Sequence, residues 1–152
     1  MVKKVIFLIA AVFMLLGTTA CVNVVVQENP IPEKELIINP AEYNLARDLI
    51  TAFVTNDGKK FVSLLPEETA TYFNEKEFAV TRASVVKSVG EPIEFSYLTS
   101  LELISLTPQI WKIRCKRSDL KNEKDFTSEI LFRVVTGMTK KNEAAIISFQ
   151  FL

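Results

Sequence analysis

A chain of 152 residues without a single histidine has a restricted chemistry. It lacks the commonest general acid and base near neutral pH, and with it Ser-His and Cys-His nucleophile pairs and most zinc sites. Carboxylates, lysines and tyrosines remain, and no spacing among them argues for a reaction. Tyr43, Tyr72 and Tyr97 could face a cavity, although tyrosines at helix and strand positions are more often packing residues. Lys112, Arg114 and Lys116 alternate along one stretch and Arg133 falls on the next. Such a stripe would suit an acidic protein, a polyanionic glycan or lipid head groups. The simpler reading is a solvated strand face whose charges pair with Glu129 and Glu102. Of the two cysteines, Cys115 shares the spacing of Trp111 and Ile113 and reads as a small buried apolar residue rather than a redox centre. Cys21 stands in a different context.

Lys3 and Lys4 precede an unbroken apolar run from Val5 to Leu16, and Gly17-Thr18-Thr19-Ala20 are the small residues that a signal peptidase requires. Cys21 follows at once. The run is shorter than the ~20 residues of a membrane-spanning helix. An ordinary secretory signal cut after Ala20, or an uncleaved anchor, would fit the same residues. The order of segments resembles the lipobox of bacterial lipoproteins, with Thr18 where that family prefers leucine. The resemblance implies removal of residues 1–20, acylation of Cys21 with palmitate-type chains, and permanent attachment to a membrane. With Val22 rather than aspartate after the cysteine, it also implies the periplasmic face of the outer membrane in a Gram-negative host, or otherwise the outer face of the cytoplasmic membrane.

Without residues 1–20 the chain has 132 residues, one domain of ordinary size. Losing Lys3 and Lys4 leaves 16 basic against 18 acidic residues, a net charge of −2. That balance argues against nucleic acid, which needs a clustered basic surface. Eleven phenylalanines supply a core. With Cys21 acylated, Cys115 has no disulfide partner.

Residues 21–38 read as a tether, since Pro30 and Pro32 disfavour helix. Val24–Val26 and Leu36–Ile38 are apolar enough to lie on the domain as an edge strand. The domain spans 39–152. Asn39, Pro40 and Glu42 form a helix start, and Ala46, Leu49, Ile50 and Phe53 recur at helical spacing. Asn56-Asp57-Gly58 is expected to end that helix, with Gly58 in the left-handed conformation. Short helices follow through Phe61–Leu65 and from Pro66, the second carrying Tyr72 and Phe73. Asn74 caps a further helix through Phe78 to Val89, closed by Gly90. The period then changes to two. Ile93, Phe95 and Tyr97 alternate with polar residues, and Leu101 and Leu103 continue the pattern. Trp111, Ile113 and Cys115 define a second strand. Phe126, Ser128, Ile130, Phe132 and Val134 share one face of a third, and Ala144 to Leu152 form a fourth. Polar turns are expected at Ser118–Lys124 and Gly137–Asn142.

The expected fold is therefore α+β, with N-terminal helices on one face of a curved antiparallel sheet of about four strands. Helices first, a Phe/Tyr-rich link at Tyr72-Phe73 and the strand Gln109-Ile110-Trp111-Lys112-Ile113 resemble the cone-shaped nuclear-transport-factor-2-like, or cystatin-like, domains over Asn39 to Leu152. Some members of that fold enclose a pocket and catalyse isomerisation or dehydration with an aspartate or histidine base. Neither Asp48 nor Asp57 maps onto such a base. The expectation is a non-catalytic, lipid-anchored envelope protein, without metal or cofactor, that binds a protein partner or a small apolar ligand. Tyr72, Tyr97, Trp111, Phe149 and Phe151 are the candidate binding side chains. The alternatives are a small pocket enzyme of the same fold and an accessory docking lipoprotein of an envelope assembly complex.

Overall fold

The computed structural model describes residues 39–101, 103–119 and 124–152. The signal segment, Cys21, the tether and Glu102 lie outside the described residues. Helix α1 (Pro40–Val54) begins as its sequence dictates, with the Asn39 side chain accepting the Ala41 N–H at 2.9 Å and proline in the first turn. Its apolar stripe, Ala46, Leu49, Ile50 and Phe53, is fully buried. Two short helices follow, α2 (Gly58–Ser63) and α3 (Glu67–Ala70). Asn74 caps α4 (Glu75–Val89) by accepting from the Lys76 and Glu77 N–H groups, and Gly90 ends it at φ +99°.

Gly58 does something other than the sequence suggests. The left-handed residue after α1 is Asn56, at φ +59°, and Gly58 opens α2 with Asp57 as its cap. A Cβ at Gly58 would lie 2.8 Å from a ring carbon of Phe78, so the glycine is needed for the approach of α2 to α4.

The strands β1 (Glu91–Ser100), β2 (Thr107–Asp119), β3 (Lys124–Met138) and β4 (Ala144–Phe151) pair antiparallel in the order β1-β2-β3-β4. Trp111, Ile113 and Cys115 of β2 face the helices together with Phe132 and Val134 of β3, all fully buried. Register shifts interrupt β1 between Pro92 and Glu94 and between Tyr97 and Thr99, and another lies opposite Val135/Thr136 in β4. Such bulges add twist and bend the sheet around α1. The last one also resets parity, so that Ile146 and, beyond the bulge, Phe149 and Phe151 all pack inward.

Three strand expectations need correction. Leu101 and Leu103 lie past the end of β1 in an exposed loop rather than on a strand face. Gly137 is inside β3, and the turn is built from Thr139 to Glu143 with Asn142 at φ +61°. Phe126 has the inward parity but is 51% exposed. Its neighbour two places on, Ser128, donates its hydroxyl to Val89 O at the last residue of α4. The helical layer has ended there, so the described part of β3 around Phe126 lies beyond its cover.

Candidate functional site

Between α1 and the middle of the sheet, aromatic side chains pack on one another. Tyr43 of α1 stacks on Trp111 with centroids 5.2 Å apart, and Tyr97 meets both rings edge-on at 5.7 and 5.3 Å. The Tyr97 hydroxyl donates to Ser100 Oγ at 2.7 Å. Tyr97 and Trp111 are thus brought together, as parts of the core.

Towards the N-terminus of α1 the interior turns polar. Gln109 is fully buried, and its Nε2 donates to Glu42 O at 3.1 Å and to Thr136 Oγ1 at 3.2 Å. Thr136 Oγ1 donates to Thr107 O at 3.3 Å, and Thr107 Oγ1 to Glu42 Oε2 at 3.3 Å. Gln109 Oε1 and Trp111 Nε1 are left buried without a hydrogen-bond partner, each at a cost of about 1–3 kcal/mol. Glu42, only 5% exposed, lines a groove of about 380 Å³ with Asn39, Leu103, Ile104, Leu106 and Met138 at the end of the cone. The sequence announced Glu42 only as a capping residue. Gln109 could have been found from it, because it shares the inward parity of Trp111 and Ile113.

A second groove, of about 300 Å³, runs between the α3–α4 link and β4. Tyr72, Phe73, Glu77, Ile147 and Phe149 line it. Phe149 forms its floor by packing on Phe61 and Phe73 at 5.2 and 5.1 Å, whereas Tyr72 is 70% exposed at its edge. Phe151 instead seals the core against Phe53 and Phe132. The Leu152 N–H donates to O of Leu131 at 2.9 Å. Hydrogen-bonded and non-bonded pairs alternate along an antiparallel ladder, so Phe149 and Phe151 direct their backbone N–H and C=O away from β3, to the side of β4 that no other described strand pairs with.

The basic stripe is a partly exposed face whose charges are paired. Lys112 pairs with Glu129 at 3.1 Å, Arg114 with Glu94, and Arg133 Nη2 donates to Gln150 Oε1 at 2.7 Å. Asp48 and Asp57 lie with Thr51, Thr55 and Lys60 on the outside of α1 and α2, away from the interior. Cys115 is fully buried, and burial followed by the nearby Glu91 carboxylate pushes its thiol from 9.0 up to about 11, with Arg82 opposing. Among the described residues no group of three or more acidic or cysteine side chains could hold a metal ion, and no helix is long and apolar enough to cross a membrane.

No protein-family model matches the chain, and no curated protein matches it. Solved structures do. A ketosteroid isomerase-like protein from Erwinia carotovora atroseptica is 9% identical with a TM-score of 0.52, over 73% of this chain and 92% of that one. A SEC-C motif containing protein from Rhodopseudomonas palustris is 17% identical with a TM-score of 0.47, over 70% and 74% of the two chains. A SnoaL-like protein from Shewanella denitrificans is 14% identical with a TM-score of 0.46, over 75% and 90%. The likeness to the first is one of fold. The described domain has the nuclear-transport-factor-2-like architecture, with helices followed by an open four-stranded antiparallel sheet.

Proposed function

We propose that this chain is a lipid-anchored bacterial envelope protein whose domain binds a protein partner and catalyses no reaction. Residues 1–20 are the export signal, Cys21 carries the acyl chains, residues 21–38 form the tether and residues 39–152 the binding domain. One observation carries the non-catalytic part. The interior in which a pocket enzyme of this fold would work is packed with Tyr43, Tyr97 and Trp111. The binding part is supported by the groove beside β4, where an aromatic floor adjoins the strand that is outermost among the described residues. Apolar grooves next to open edges suit the addition of an extended segment.

Replacement of Cys21 by alanine tests the anchor. The variant should leave the membrane fraction or accumulate as unprocessed precursor, and it should take up no labelled palmitate. Normal processing with normal membrane retention would end the lipoprotein reading. Replacing Tyr72 with alanine, which removes no core contact, should reduce capture of the partner about tenfold without lowering the melting temperature. Unchanged capture would remove the β4 groove from consideration.

A second reading, a small pocket enzyme, is favoured by the buried Glu42 carboxylate in the lining of the other groove and by the unpaired, buried Gln109 Oε1 and Trp111 Nε1. Titration with small carbonyl compounds, read by Trp111 fluorescence, separates the two readings. Saturable quenching abolished by Glu42→Gln would favour the enzyme, and no response favours the binding protein.

A further inference from the structure

The loop between β1 and β2 holds aliphatic side chains out in water. Leu101, Leu103, Ile104 and Leu106 are exposed, Ile104 completely, and Met138 at the end of β3 joins them. Two backbone hydrogen bonds tie its described residues together. The Leu101 N–H donates to Pro108 O at 2.9 Å and the Leu103 N–H to Leu106 O at 3.0 Å. Its backbone closes on Gly137, where an added Cβ would lie 3.0 Å from Ser105 O. A small domain seldom maintains a contiguous aliphatic surface without a use for it.

The place of this surface in the molecule says what it meets. The chain reaches the domain at the same end, since Asn39 Nδ2 approaches Met138 Sδ at 4.0 Å and Asn39 shares a groove with Leu103 and Ile104. The 38 residues before Asn39 contain the apolar run Val5–Leu16 and Cys21. Whichever of these holds the protein to lipid, the attachment leads to this end. The adjoining β3–β4 turn exposes Lys140 and Lys141 against Glu143. That charge is nearly balanced, so the aliphatic side chains must supply most of the affinity.

We propose that this end of the domain is a lipid-contacting face. Leu103 and Ile104 enter the boundary between head groups and acyl chains, which lies about 5–10 Å deep for interfacial segments. Leu101, Leu106 and Met138 form the rim, and Lys140 and Lys141 reach head-group phosphates. A domain held by both tether and loop has a fixed orientation, with the C-terminal end of α1 away from the bilayer. The inference rests on the anchored reading above only in requiring a bilayer within reach of Asn39.

The test uses the full chain on phosphatidylcholine vesicles, with and without phosphatidylglycerol. An environment-sensitive thiol fluorophore is placed at Ile104→Cys and, separately, at Thr55→Cys at the far end of α1, with the unsubstituted chain as background. The fluorophore at 104 should be quenched several-fold more strongly by spin-labelled acyl chains than the one at 55, and be shielded from iodide. Moving it to Leu103→Cys and adding Ile104→Asp should lower lipid quenching to the level of position 55. Equal iodide access at both positions on vesicle-bound protein would overturn the lipid-facing assignment and leave anchoring intact. Quenching that requires phosphatidylglycerol would overturn insertion in favour of a charge contact. A chain that fails to float with the vesicles overturns both readings.

Discussion

Cys115 shows how much a single side chain depends on what covers it. Alternation with Trp111 and Ile113 placed it inward, and the helices above make that position fully buried. A thiol held near 11 is un-ionised at physiological pH. Because its folded value lies above its unfolded one, the folded state binds more protons between the two. Stability from this group is therefore fully present below pH 9.0 and falls as pH rises towards about 11. The loss is on the order of 2–3 kcal/mol, and Cys115→Ala should abolish that alkaline decline in urea titrations. A bulky thiol reagent should label native protein slowly at pH 8 and stoichiometrically in denaturant; fast native labelling would place the Trp111 face outside the core.

At the level of elements, the joint between α1 and α4 is made by a residue that the sequence does not advertise. Arg82 is buried, with its Nε donating to Phe53 O at 3.0 Å and its Nη2 to Val54 O at 3.3 Å. It thereby satisfies the last carbonyls of α1, places a cation at the negative end of that helix, and pairs with Glu91 at the start of β1. Three elements meet on one guanidinium. The signal was present, because Phe78, Arg82, Val85 and Val89 follow helical spacing, but an arginine in an apolar stripe has no meaning until its partners are known. Arg82→Ala should lower unfolding stability by about 2–4 kcal/mol. Arg82→Lys should recover only part of that, since an ammonium cannot serve two carbonyls and a carboxylate in one plane. A denaturation midpoint unchanged in the alanine variant would refute this account of the joint.

For the molecule as a whole, the described helices and strands form one core. Phe53 packs on Phe78 and Phe132, and Phe61 on Phe73 and Phe149, so aromatic rings link α1, α2, α4, β3 and β4. A chain beginning at Ile38 should therefore unfold in a single cooperative transition, with both helical and strand signals in circular dichroism. Its exposed Leu103–Leu106 loop should make it associate weakly at high concentration, and Ile104→Asp should relieve that association. Aggregation that persists in the aspartate variant would instead mean that Val24–Val26 or Leu36–Ile38 is an integral strand whose removal opens a sheet edge.

Local physics carries far in this chain. Caps at Asn39 and Asn74, the stop at Gly90 and the change of period after it are properties of neighbouring residues, so the order of helices and strands and the inward face of β2 were legible without coordinates. The resemblance to a lipobox at Cys21 rests on residue types alone and lies outside the described residues. What tertiary structure alone decided was coverage. Whether Phe126 is core or surface depends on where α4 stops, and whether Leu103 lies on a strand depends on where β1 loses its partner. The inward turn of Phe149 and Phe151 depends on a bulge that no periodicity records. Tyr43, Tyr97 and Trp111 meet between α1 and the sheet because they converge from a helix and two strands far apart in sequence, and such convergence is a property of packing rather than of any local pattern.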